Sequence, residues 1–257
     1  MRGRGVVSRG VVSRGVVSVV TAVMVGSALA GAAAVAADDG SFRLLTKQTE
    51  SGPVVIRWNP CQDAITYKVN TTHARETSRG VAAARARARK EVVSAMDKVS
   101  AASGLPLTYT GTTRQIPTGD DWWQKQDQES EIVVAFVSRA AGHSTLLSGG
   151  SWGEGGQVYK YDGATVVTGR GFAVFDRDKA RRLAAGFGPG TTRGNLILHE
   201  LGHVMGLDHV RDARQLMNPA ITSRSPNGFA AGDRAGLAEL GPEAGCIDNA
   251  TEFWPGS

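Results

Sequence analysis

Three histidines, one glutamate and one methionine set the chemistry open to this chain. His199-Glu200-Leu201-Gly202-His203 runs on through Gly206 to His209, and Met217 follows eight residues later. Histidines four apart on a helix lie on one face, one turn above the other. Two neutral imidazoles placed so can grip one zinc ion, with bonds of about 2.0–2.1 Å. Glu200 points about 100° away around the helix, where it can reach a water on the metal without being a ligand. Gly206 comes three residues after His203, where a helix stops most cheaply in a left-handed residue. The chain then turns back and offers His209 as a third ligand. Three protein ligands leave a fourth position for water, which distinguishes catalytic zinc from structural zinc. The bland alternative is a buried amphipathic helix that happens to carry histidines. The chain holds 5 His, and three of them fall at the three required positions, so the metal reading is preferred.

This pattern, H-E-x-x-H-x-x-G-x-x-H with a methionine turn after it, resembles the metzincin metallopeptidases. With Leu216-Met217-Asn218-Pro219 following, it is most similar to the matrixins. The resemblance implies a secreted zinc endopeptidase of α+β fold: a twisted mixed sheet, a long backing helix, an active-site helix, the methionine turn and a C-terminal helix. By position, His199, His203 and His209 would hold zinc, Glu200 would be general base and acid, and Met217 would form the floor under the metal. The substrate would be a peptide or protein. Two other functions stay open: a secreted zinc-fold binding protein without turnover, and a zinc amidase acting on a non-protein substrate. No cysteine-switch motif is evident in the chain.

The ends of the chain say where this chemistry would operate. Arg2, Arg4, Arg9 and Arg14 head a stretch that has no charge from Gly15 to Ala37 and ends Ala34-Val35-Ala36-Ala37. A basic head, an apolar middle and a small-residue exit describe a secretory signal peptide over residues 1–37. An uncleaved anchor is the alternative. Residues 38–60 read as a lead-in or short pro-segment and 61–257 as one catalytic domain, expected to be a monomer. Four arginines leave with the leader from a net charge of +5, so about +1 remains, and the basic pI is poor evidence for nucleic acid. No membrane association is expected after cleavage. An exported chain with an even pair of cysteines, Cys61 and Cys246, is expected to bridge them. In the chain-entropy model so long a loop contributes on the order of 4–5 kcal/mol. The sharper alternative makes Cys61 a thiolate plugging the zinc. Asn70 and Asn249 match the glycosylation pattern.

Elements able to position the motif follow in order. Residues 64–69 alternate as a strand. Thr77 to Ser103 carries Val81, Ala84, Ala88, Val92, Ala95 and Val99 at helical spacing, which would face a sheet, while Arg85, Arg87, Arg89 and Lys90 make a solvated side. Leu107–Tyr109 and Ile132–Val137 read as strands, the second covered on both faces. Trp122 and Trp123 are either a substrate patch or a satellite core. An edge strand able to pair with an extended peptide is expected near Leu146–Trp152 or Gln157–Tyr161. His143 is the one histidine there for a second, structural zinc, which is too few. Calcium is possible through Asp162, Asp176 or Asp178. Thr165 to Phe175 reads as a hairpin or bulged strand, and Asp176 to Ala184 as a helical turn. Thr191 or Thr192 would cap the zinc helix. A last helix spans Ala230 to Leu240.

Overall fold

A computed structural model describes residues 42–74, 80–119, 122, 130–147, 149–161, 164–248, 250 and 254, together with the backbone of 12–16. The mixture of strands and helices is the expected α+β architecture. The strands of the main sheet are β1 (Val12–Val16), β5 (Ile65–Asn70), β6 (Leu107–Thr112), β7 (Ile132–Val137), β8 (Gly153–Tyr161) and β9 (Val166–Asp176). Their spatial order is β1-β8-β9-β7-β5-β6. β5, β6, β7 and β9 run parallel, while β8 is antiparallel to β9 and β1 is antiparallel to β8. Two short ladders flank this sheet. β2 (Arg43–Leu44) pairs with β10 (Leu207–Asp208), and β3 (Thr46–Thr49) pairs with β4 (Gly52–Val55).

Parallel strands need covered faces, and β7 shows why its sequence is a continuous apolar run: all six of its residues are buried. On one face lie α1 (Val81–Ser103) and α3 (Arg193–Met205). The apolar period expected of α1 is the one that is buried, at Ala84, Ala88, Val92, Ala95 and Val99, with Met96 added. Gly104 ends α1 in the left-handed conformation, with its N–H donating to the Ser100 carbonyl. On the other face Trp122 packs edge-on to Phe172 among Val133, Ala135, Val137 and Leu146. Trp122 is therefore satellite core, and Trp123 lies outside the described residues.

Several expectations are sharpened. The outer strand of the domain proper is Gly153–Tyr161, which contains the second of the two stretches proposed for it. The stretch expected as a hairpin or bulged strand over Thr165 to Phe175 is one bulged strand, Val166–Asp176, and its bulge lies against Val158 and Tyr159. α2 (Arg177–Ala180) is the single turn expected there, capped by Asp176. α4 (Ala231–Glu239) is the last helix, and a 3-10 turn over Pro242–Ala244 follows it. Cys61 and Cys246 are joined in a disulfide, which excludes Cys61 as a thiolate on the metal. Asn70 is buried, with its Nδ2 donating to the Gln115 carbonyl, so it is no glycan acceptor in this fold; Asn249 lies outside the described residues. No helix among the described residues is long and apolar enough to cross a membrane.

Candidate metal centre

α3 begins at Thr192, whose hydroxyl accepts from the Asn195 amide, so the second of the two proposed caps is used. Every residue of the helix is buried. It ends at Gly206, whose φ of 121° lets the chain turn back toward His209. Leu45 N donates to the Gly206 carbonyl (2.7 Å) and Trp58 Nε1 to the Val204 carbonyl (2.9 Å), so the last turn is held from outside the helix. The segment from His209 to the methionine turn is closed by Val210 N donating to the Met217 carbonyl at 3.0 Å. Met217 is buried under the helix. A Cβ added at Gly202 would stand 2.5 Å from its sulfur, so only glycine permits this approach.

The three imidazoles converge. His209 Nε2 lies 3.1 Å from His199 Nε2 and 3.1 Å from His203 Nε2. A tetrahedral ion with bonds of about 2.0–2.1 Å would separate its ligands by about 3.3 Å. The far nitrogens are committed elsewhere: His199 Nδ1 donates to the Leu216 carbonyl at 2.7 Å and His203 Nδ1 to the Leu207 carbonyl at 2.8 Å. Each neutral ring has then placed its one proton on Nδ1, and Nε2 is a bare lone pair facing the others. At most one proton, from His209, is left among three facing nitrogens. Burial pushes the His199 pKa down to about 3, with His209 adding to the effect, and it holds His203 well below the usual value. Burial also lowers His209, partly offset by Asp208. Converging neutral lone pairs in a dry site repel one another unless a cation sits between them, so the donor set fits zinc. Among the described residues these are the one set of three side chains so placed.

Glu200 lies on the side of α3 that meets the start of β8. It is fully buried, and its pKa is pushed up by burial and by the nearby Glu154, against a smaller lowering by the Gly155 amide. β8 can lie this close because of its glycines. A Cβ at Gly153 would stand 2.8 Å from the Glu200 carboxylate, and one at Gly155 would stand 2.1 Å from the Glu200 carbonyl oxygen. Two of the three acids considered for calcium have other partners. Asp176 caps α2, Asp178 pairs with Arg177 and Arg181, and Asp162 is outside the described residues.

Three supporting residues were not singled out from the sequence. Asp233 is buried, and its carboxylate accepts from Leu216 N (2.7 Å), Met217 N (3.2 Å) and Ala230 N (2.8 Å). One acid thus fixes the methionine turn and, through Leu216, the carbonyl that orients His199. An acid at the third position of a helix is a capping signal legible in sequence, but its reach to the turn is not. The buried Asn195 amide gathers Gly188, Gly190 and Pro226 carbonyls and accepts from Gly228 N, tying the loops before α3 and after the turn. Arg193 makes a two-pronged pair with Glu91, locking α3 onto α1.

The comparisons agree with this geometry. The matrixin family model matches residues 57–240. Among curated proteins, mouse stromelysin-3 is similar at 38% identity over 66 residues, which is 26% of this chain and 13% of that protein. The chain therefore spans only a small part of that relative's length. A family model that covers the sheet, the backing helix, the histidine triad and the methionine turn together leaves one assignment: this chain belongs to the matrixin family.

Proposed function

We propose that the protein is a secreted zinc endopeptidase, with His199, His203 and His209 as ligands and Glu200 as the group that moves the proton. The observation that carries this reading is the pinning of two Nδ1 protons on backbone carbonyls, which leaves the Nε2 lone pairs converging on one point. Zinc held there would supply a water acidified toward a pKa of about 7 and a Lewis acid for the substrate carbonyl. Glu200 takes the proton from the attacking water at one carboxylate oxygen and returns it to the nitrogen of the leaving amine. Burial and Glu154 raise its pKa, so it keeps a proton longer than an exposed glutamate would.

β8 is the rail on which the substrate would lie. It runs beside Glu200, and a strand of the leader, β1, follows its outer edge in the antiparallel sense from Val12 against Val158 to Val16 against Glu154. An extended peptide would pair there in the same manner once the leader is removed. Export is part of the proposal, and the amino-terminal residue of protein collected outside the cell tests it: it should fall near Asp38.

The test of the reaction is a peptide library and casein, each digested with and without chelator. Internal cleavage that stops with chelator and returns with zinc is expected. A protein that carries zinc and cleaves neither would sustain the binding-module reading instead.

A further inference from the structure

Residues 244–248, with Ala250 and Trp254, make a strap over the end of β8 that is remote from Glu200. The strap is secured at three successive points on the lead-in to β5. Arg57 Nη2 donates to the Ala244 carbonyl at 3.1 Å, Cys61 is bonded to Cys246, and Ile247 N donates to Asn59 Oδ1 at 3.1 Å. Trp254 lies on the β8–β9 ladder. There the register breaks, because Val158 pairs with Arg170 and Tyr159 with Thr168, leaving Gly169 as the extra residue of a bulge. The indole lies flat on that glycine, and a Cβ there would stand 2.1 Å from the ring. Trp254 Nε1 donates to the Val167 carbonyl at 3.0 Å. Val158, Val167 and Ala250 complete a small apolar cluster around it. Lys160 Nζ sits 4.2 Å from the ring centre and the Arg170 guanidinium 5.3 Å.

A bulge loosens a ladder at the point where a docking strand needs to be stiff, and this one is covered by a buried aromatic ring bonded to the Val167 carbonyl. The geometry points to Trp254 as a positioning residue for substrate binding: the strap fixes β8, whose other end lies against Glu200. This inference rests on the proposed role of β8 as the substrate rail. Trp254 acts through Val158, Lys160 and the Gly169 bulge, not through the histidines.

The test is Trp254→Ala in the full chain. KM for an extended peptide should rise about tenfold while kcat stays within about twofold, as expected when binding is lost without loss of chemistry. Zinc content should not change, and Trp254→Phe, which keeps a ring on Gly169, should recover most of the loss. Amide exchange over residues 157–161 should quicken, a readout that needs no substrate and stands even if the protein proves not to be a peptidase. If Trp254→Ala does not fold, Trp254→Leu, which keeps apolar bulk against Val158 and Val167, takes the same measurements. A folded variant with unchanged KM and unchanged exchange in β8 would overturn the inference. So would a fall in kcat accompanied by loss of zinc, since the strap would then serve the metal centre rather than the rail.

Discussion

The five histidines fall into two groups that have little in common beyond their rings. His199, His203 and His209 meet edge to edge through their Nε2 atoms. His73 and His143 instead lie with ring centres 4.0 Å apart, closer than any pair of the triad, and planes tilted by 37°. In the first group backbone carbonyls accept the Nδ1 protons. In the second, His143 Nδ1 is itself the acceptor, from Ser138 N at 3.2 Å, so the neutral ring carries its proton on Nε2. One arrangement exposes lone pairs to a common centre, and the other turns a lone pair into the backbone. The difference shows that ligand character is set by what the far nitrogen does, not by how many histidines are near one another. It also bears on the reading that His143 is one histidine too few for a second zinc. His73 lies beside it, and among the described residues the one group of three possible ligands is His199, His203 and His209.

Substitutions should separate the two groups sharply. The largest effect is expected for His203→Ala, which should lose zinc and turnover together, by more than the roughly 10–100-fold typical of changes outside the ligand set. Elemental analysis that finds a full zinc complement in that variant would remove His203 from the site. Glu200→Gln should retain the metal and lose about 10²–10⁴ in kcat, the range associated with general acid–base catalysis; wild-type rates in that variant would end the assignment.

Asp233→Asn reaches the centre only through Leu216 and Met217. It should lower stability in urea by about 1–3 kcal/mol, because buried amides lose a charged acceptor. It should also weaken zinc against a competing chelator, while His143→Ala, which leaves the Ser138 amide without its acceptor, should cost about 1–3 kcal/mol of stability and leave zinc binding alone.

The pH dependence of stability has a definite sign. Burial lowers the folded pKa of His199 and His203, so unfolded chains take up those protons first as pH drops below the unperturbed value of about 6.5. Their stabilising contribution is full above that pH and is lost below it. Glu200, with its raised pKa, has the opposite slope. In metal-free Glu200→Gln protein, urea midpoints should therefore fall from about pH 6.5 downward.

Much of this was legible in the chain because the determinants are local. Four-residue spacing fixes the faces of His199 and His203, and a glycine at 206 fixes where the helix must stop. The alternation of alanine and valine in α1 likewise named its buried face. What escaped is what links distant segments. Asp233 lies sixteen and seventeen residues from the Met217 and Leu216 amides it holds, and Asn195 gathers carbonyls from both sides of the helix. Trp254 rests on a bulge that exists only after β8 and β9 have paired. Such contacts depend on three-dimensional register, and no periodicity in the sequence encodes them. The outer strand was legible in part: Gln157 to Tyr161 has strand formers, whereas Gly153 to Gly156 reads as loop until the glycines are seen to admit the zinc helix.

Diffraction from crystals grown with zinc, recorded above and below the zinc absorption edge, tests the central claim most directly. One anomalous peak about 2.0–2.1 Å from each Nε2 of His199, His203 and His209 is the predicted result. No peak at that point, or a peak held by His73 and His143 instead, would contradict it.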